Sequence, residues 1–511
     1  MNPAVRLPDA KRLRRVVAQA IACGGLLLLP ACGIPALRPA ETGLTLPESY
    51  NGSPNGEYGA SISGETSAEN SAQLRVDEFY NDPTLSRLIC QALVANRELK
   101  ILEEEIQIAG SQVVATRGAL LPTVTLGIGA GLDKNSRFTP LGAAEEELEY
   151  KPDRHFPMVP GDFLLGLNYA VPVDLWRELR NARDAAGRRY LASIERRNAF
   201  ITRLVAEVAE NYYGLMALDT RLATLDQIIA LQQQSLEVAK ANFAAGRGTA
   251  LAVQRFQAEV RKNQSEKLLV RQEIVEIENR INLALGRLPQ PVTRNPAVFF
   301  DTSIQALTLG VPSQLLRNRP DIRQAELELE AAGLDVQVAR ARFFPRVDIT
   351  GGVGTRAFNP RYLFDPESLA LNVIGELATP LINRAAIRAD YLAANAQQLQ
   401  ALYNYQRIII DATIEVVNHM SMVQNFTSSI EVRQRQLKDL EASVDSAGKL
   451  FQAARGEYVD VLFSQRDLLE ARTVLIDTRR QQLAAIVNVY RALGGGTAIQ
   501  CPPPDAAPAG R

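Results

Sequence analysis

Apolar residues fall seven apart without a break at Ile194, Ile201, Val208, Leu215, Leu222, Ile229, Leu236 and Phe243. The same beat returns at Leu402, Ile409, Val416, Val423, Ile430, Leu437, Val444 and Phe451, each 208 positions after its counterpart. A strict seven-residue repeat keeps one seam of an α-helix facing a partner and requires a left-handed supercoil. The pattern therefore predicts two very long coiled-coil helices, beginning near Leu179 and Ala386. Each spans on the order of 95 Å at 1.5 Å per residue, about three times the hydrocarbon thickness of a bilayer. Turns follow at Ala245-Gly246-Arg247-Gly248-Thr249 and at Ala453-Ala454-Arg455-Gly456-Glu457. Returning helices keep the sevens at Val253, Val260, Ile274 and Ile281, and at Val461, Leu468, Leu475 and Val489.

Ahead of each long helix the period changes. A helix is expected over Leu93 to Leu120 and another over Leu315 to Phe343, stopped by Pro122 and Pro345. Alternation by twos follows. Val124, Leu126, Ile128 and Ala130 oppose Thr123, Thr125, Gly127 and Gly129, and Phe163, Leu165, Leu167 and Tyr169 oppose Leu164, Gly166 and Asn168. Later, Val347, Ile349 and Val353 alternate with Asp348, Thr350 and Gly354, and Leu369, Leu371 and Val373 with Ala370, Asn372 and Glu376. One apolar face and one small or polar face is the pattern of a barrel wall with lipid outside and water inside.

The expected class is an α+β membrane protein, internally duplicated, with four strands per chain. Its boundaries read as a signal peptide over 1–31, an anchor and extended linker over 32–76, a first repeat over 77–290, a connector over 291–311, a second repeat over 312–495 and a disordered tail over 496–511. Arg6, Lys11, Arg12, Arg14 and Arg15 precede an apolar run that ends in Leu29-Pro30-Ala31-Cys32-Gly33. A Cys after small residues at the end of such a run is what a lipoprotein signal peptidase reads, so Cys32 is the expected lipidation site. Cys90 and Cys501 then remain, without metal-ligand spacing. An exported chain permits a bridge between them, but their distance in sequence argues against it, and the sequence leaves the pairing open.

Four strands cannot cross a membrane as an open sheet, because both edges would present unpaired N–H and C=O groups to hydrocarbon. Closure needs further copies. Two copies give eight strands, whose lumen is normally filled by side chains. Three give a lumen wide enough for solutes, so a homotrimer is expected, with a twelve-stranded β-barrel above a ring of long helices.

The segment Gly310-Val311-Pro312-Ser313-Gln314-Leu315-Leu316-Arg317-Asn318-Arg319-Pro320-Asp321-Ile322-Arg323-Gln324-Ala325-Glu326, followed by Ala339-Arg340-Ala341-Arg342-Phe343-Phe344-Pro345, resembles the signature of TolC-like outer-membrane efflux lipoproteins. Val173-Asp174-Leu175-Trp176-Arg177 resembles that family's strand-to-helix junction. The resemblance covers about residues 77–495. It implies the outer-membrane exit duct of a tripartite efflux system, anchored to outer-membrane lipid. The helical tips would dock on a periplasmic membrane-fusion adaptor joined to an inner-membrane pump. Gly246, Arg247 and Gly248 in one tip, with Ala454, Arg455 and Gly456 in the other, are the candidate docking residues. Family members often carry an acidic ring at the closed constriction. The matching position here is Phe463, with Asp460 and Asp467 on the same helix face, and these three form the candidate gate.

Other chemistry is sparse. A formal net charge of −1, with 22% charged residues, gives no electrostatic footprint for nucleic acid. No catalytic constellation, metal cluster or cofactor motif is expected. His155 falls in a loop, and His419, aligned with Asn211, on the helix seam. A type I protein-secretion duct would use the same architecture. A coiled-coil envelope tether would explain the heptads and Cys32, but not the strands.

Overall fold

The structure, a computed structural model, describes residues 34–40, 43, 46, 70–302, 304, 312–379, 384–453 and 455–501. The first series of elements is α1 (Val76–Tyr80), α2 (Pro83–Ala95), α3 (Arg97–Gly118), β1 (Thr123–Leu132), α4 (Pro140–Glu147), β2 (Glu149–Lys151), β3 (Arg154–His155), β4 (Gly161–Val173), α5 (Glu178–Ala244) and α6 (Ala250–Ala284). The second series is α7 (Leu315–Asn318), α8 (Pro320–Ala341), β5 (Arg346–Ala357), β6 (Leu369–Ala378), α9 (Ala385–Gln452) and α10 (Tyr458–Ala492). They fold as two compact units. One takes in Ile108–Tyr190 and Leu327–Leu402 with residues 34–40, and the other Leu191–Glu326, Tyr403 onward and the segment up to Gln107.

In the first unit the four long strands form one antiparallel sheet in the order β1-β4-β5-β6. Its register decides what the alternation alone could not: whether the four apolar sets share a face. Leu126 stands opposite Leu167, Leu167 opposite Val353, and Val353 opposite Leu371. One row over, Val124, Tyr169, Gly351 and Val373 are in line, and the Tyr169 ring fills the space above Gly351 where a Cβ would collide. All the apolar sets are therefore on one side. The opposite side carries Thr125, Asn168, Gly352 and Asn372, with ion pairs Arg356–Asp162 at 2.7 Å and Arg346–Asp348 at 2.8 Å. β1 and β6 each have one hydrogen-bonding edge unpaired among the described residues.

The β1–β4 connection is more ordered than a plain loop. It contains α4 and the β2–β3 hairpin, and His155 sits in β3. Tyr150 and Phe156 from this connection pack with Phe358 and Tyr362 from the β5–β6 connection, at centroid distances of 4.9 to 5.5 Å. No periodicity announces such a cluster, because its members come from separate turns.

The second unit is helical. The first predicted helix is broken at Asn96, whose amide oxygen accepts from the Leu99 N–H at 2.9 Å and whose amide donates to the Ala284 carbonyl at 2.9 Å. Its counterpart is broken at Arg319, between α7 and α8. The largest core gathers Phe79, Tyr212, Tyr213, Leu215, Met216, Leu483 and Tyr490. Phe79 stacks on Tyr490 at 4.0 Å, and the Tyr490 hydroxyl donates to the Leu74 carbonyl at 2.7 Å. The connector is pinned where it is described: Arg294, largely buried, pairs with Asp219 and Glu278, and Phe299 enters the core.

One pairing left open is answered, and one boundary is corrected. Cys90 and Cys501 are bonded, with a Cα–Cα distance of 5.5 Å. Sequence separation was a poor guide, because the return of α10 brings the chain end back to α2. The disordered tail does not begin at 496 either. The Val76 N–H donates to the Ala498 carbonyl at 3.0 Å, Ile499 packs on the core, and Cys501 closes the bridge. Residues 502–511 lie outside the described residues, as does Cys32.

Candidate functional site

Each tip is a helix end closed by backbone geometry. After α5, Gly246 takes a left-handed φ of 68°, so its N–H reaches the Phe243 carbonyl at 3.0 Å and the Arg247 N–H the Asn242 carbonyl at 2.8 Å. A side chain is disfavoured at that φ, which is why Gly occurs there. Thr249 then caps α6, its hydroxyl accepting from the Ala252 N–H at 3.3 Å. After α9, the Arg455 and Gly456 N–H groups share the Leu450 carbonyl at 2.9 and 3.1 Å. Glu457 starts α10 without a side-chain cap. Gly248 and Gly456 both lie where a Cβ would press on the preceding helix end, at 3.2 Å from the Phe243 nitrogen and 3.0 Å from the Leu450 Cβ. Arg247 and Arg455 are exposed. Ala454 is outside the described residues.

Just behind the tips, Leu236, Ala239, Phe256, Phe451 and Val461 form a small core, with Phe256 and Phe451 rings 5.8 Å apart. The final heptad beats part company here. Phe451 is buried, whereas Phe243 is half exposed. Sequence spacing treats the two as equivalent, and packing does not.

The three candidate gate residues are exposed positions of one helix. Asp460, Phe463 and Asp467 lie along the exposed face of α10, away from buried Val461, Ser464 and Leu468. Sequence reasoning missed Arg466, whose guanidinium sits 4.8 Å from the Phe463 ring centroid and 3.6 Å from the Asp467 carboxylate. An aromatic face attracts a cation, so one arginine links the apolar and acidic members of the stripe.

Polar residues also replace apolar ones between the helices. Asn263 donates to Gln232 at 2.9 Å, Gln465 to Ser235 at 2.9 Å, and Gln482 to Thr427 at 2.7 Å. Gln482, which breaks the heptad of α10, is thus paired across to α9. Arg319 of the signature segment bonds Asp321, Glu415 at 2.8 Å and the Ala492 carbonyl at 3.0 Å, and Arg491 also pairs with Glu415. That arginine closes the α7–α8 break onto α9 and α10, a structural task its appearance in a signature does not reveal. His419 is half-buried, and burial pulls its imidazole below the ordinary value. Burial pushes the Glu210 carboxyl up, against the hydrogen bond from Asn488 and the charge of Arg491.

Residues 88–287 and 311–495 match the profile of the outer membrane efflux protein family. The chain belongs to that family. A curated relative, the cation efflux system protein CusC of Escherichia coli, is 28% identical over 484 residues, covering 92% of this chain and 99% of CusC. The toluene efflux pump outer membrane protein TtgI of Pseudomonas putida is 25% identical, covering 83% of this chain and 88% of TtgI. The crystal structure of CusC aligns with a TM-score of 0.75 at 26% identity, over 90% of this chain and 99% of that one. The outer-membrane channel OprN aligns at 0.75 and 23% identity, over 91% of this chain and all of OprN, which speaks to the fold. The chain is thus an outer-membrane efflux channel protein, and a channel rather than an enzyme.

Proposed function

We propose that three copies of this chain close into a twelve-stranded barrel and a ring of long helices. The assembly is the passive exit duct of a tripartite efflux system, carrying small molecules or metal ions from pump and adaptor to the exterior. The observation that carries this reading is the four-stranded sheet, with all its apolar sets on one face, polar residues on the other, and an open edge at β1 and at β6. In hydrocarbon each unpaired backbone group costs several kcal/mol, so β6 of one copy must meet β1 of the next. The helices repeat the logic. Exposed Leu268, Leu269 and Val275 on α6 and Ile410, Ile414 and Val432 on α9 are two unlike apolar faces, and contacts between unlike faces close into rings.

The rest of the reading assigns roles. The tips at Gly246, Arg247, Gly248, Ala454, Arg455 and Gly456 receive the periplasmic adaptor, with half-exposed Phe243 beside them. Asp460, Phe463 and Asp467 form the gate. Cys32 carries the acyl chains, and Ile34 and Leu37 just after it pack against Phe343 and Tyr391. Relatives named for cation and for toluene efflux favour export over protein secretion.

Planar-bilayer conductance of the purified chain, with cross-linking to count subunits, tests the duct. Stepwise ion conductance from a cross-linked trimer is expected, and a folded protein that gives none would sink the reading. For the gate, Asp460→Ala and Phe463→Ala should each raise open-channel conductance. Unchanged conductance in both would remove these residues from the constriction.

A further inference from the structure

The four long strands carry five charged side chains: Asp162 in β4, Arg346, Asp348 and Arg356 in β5, and Glu376 in β6. All five belong to the polar face. Register places Glu376 directly opposite Asp348, and Asp348 opposite Pro172, in the same alternation as Asn168, Gly352 and Asn372. Four of the charges cancel in pairs. Arg356 donates to both oxygens of Asp162, at 2.7 and 2.8 Å, and Arg346 holds Asp348 at 2.8 Å. Glu376 is exposed, and among the described residues no ion pair or hydrogen bond reaches its carboxylate.

Nothing else on the face offsets that charge. Between Glu376 and the Arg356–Asp162 pair lie Thr123 and Thr350, then Thr125, Asn168 and Asn372, then a row of Gly127, Gly166, Gly354 and Ala370. All are neutral, and the last row has no side chain larger than a methyl. The free edge of β6 adds no partner either, because β1, the strand that would meet it, contains no charged residue. Each sheet is therefore left with one negative charge, near the end of β6 that leads to α9. A ring of like charges on a narrow aqueous passage with low-dielectric walls enriches ions of opposite sign and depletes those of the same sign.

We propose that Glu376 sets a cation preference within the barrel itself: three copies place a ring of three carboxylates at the end of the lumen nearest the helices. The favoured cargo class is cationic, inorganic or organic. The assignment rests on the sheet closing as the barrel wall of the duct.

The cation-to-anion permeability ratio tests it, read from the reversal potential of the purified trimer in neutral-lipid planar bilayers under a potassium chloride gradient. Glu376→Gln should lower the potassium-to-chloride ratio roughly two- to threefold from the wild-type value. Glu376→Lys should lower it further, and Glu376→Asp should retain it. Asn372→Asp, which adds a carboxylate to the same face, should raise it. The differences should be largest near about 0.01 M salt, where the screening length is about 30 Å, and nearly vanish near about 1 M, where it is about 3 Å. The helices are identical in all four variants, so their charges cancel from the comparison. A ratio that rises in Asn372→Asp but is unmoved by Gln or Lys at 376 would show Glu376 neutralised in the assembly, and overturns the proposal. Conducting channels with one ratio in every variant overturn it too and leave the duct standing. Wild-type trimer that conducts nothing sinks the duct reading, and the proposal with it.

Discussion

The two long helices, α5 with 67 residues and α9 with 68, share a heptad beat for beat and yet lead different lives. α5 is enclosed by its own chain. Leu204, Val205, Val208, Tyr212, Leu215 and Met216 are buried, and it exchanges side-chain hydrogen bonds with α6 through Asn263 and with α10 through Gln465 and Asn488. α9 keeps apolar residues in the open at Ile410, Ile414, Met422, Val432 and Leu450. The return helices divide the other way: α10 is the buried one, and α6 exposes Leu251, Leu268, Leu269 and Val275. Duplication supplied two equal hairpins. Position then assigned one helix of each to the interior of the chain and the other to a face that requires a neighbour.

The strongest way to break this comparison is to truncate the same beat in both helices. Leu215 is fully buried, and its counterpart Val423 is only partly so. Leu215→Ala should cost about 2–5 kcal/mol, and Val423→Ala clearly less, since the cost scales with the cavity left behind. Denaturant unfolding of the two variants measures the gap. Equal losses would mean that α9 is as enclosed as α5.

That pair also shows what the sequence could convey. The strands and heptads were legible because each is a repeat written along the backbone, and register follows once the apolar sets must share a face. The candidate gate stripe was legible for the same reason, since Asp460, Phe463 and Asp467 are neighbours by helical spacing alone. Burial at a given beat was not. Phe243 and Phe451 occupy one heptad position, but only Phe451 finds Phe256, and that contact depends on a hairpin more than a hundred residues away. The links of Arg319 to Glu415 and Ala492 and the Cys90–Cys501 bridge escaped on the same ground, since each joins groups whose meeting no local period records. Arg466, a helical neighbour of Phe463, was within reach of the spacing and was overlooked.

The disulfide provides the next test, because it ties the chain end that follows buried α10 to α2. Cys501→Ser should cost about 2–4 kcal/mol, the usual range for a bridge closing a long loop, and reducing agent should lower the melting temperature of the wild type but not of the variant. Insensitivity of the wild type to reduction would show that the chain end is held by the Val76–Ala498 hydrogen bond and Ile499 without the bridge.

On the open face of α9 the expected effect shifts from folding to assembly. Ile414→Lys replaces a half-exposed side chain, so unfolding of the isolated chain should change by about 0.5 kcal/mol or less, as for surface positions. Cross-linked trimer should nevertheless fall several-fold, because a buried unpaired charge at an interface is costly. The counterpart of Ile414 in α5 is Ala206, which is buried, and Ala206→Lys should instead damage the fold of the chain itself. Intact trimer in Ile414→Lys would show that this face of α9 meets water.

The smallest effect concerns Glu210, whose counterpart in α9 is the neutral Asn418. Burial raises the Glu210 carboxyl above its ordinary value, with Asn488 and Arg491 opposing the shift. A carboxyl raised in the folded state favours folding while it is protonated. That contribution is full below the unfolded value and is lost as pH rises through the folded one. Glu210→Gln keeps the neutral form at every pH, so its melting temperature should match the wild type near about pH 4 and exceed it increasingly toward about pH 8. An advantage that shrinks on the alkaline side would mean that Arg491 and Asn488 outweigh burial. The enclosure of α5 would then be electrostatically looser than its packing implies.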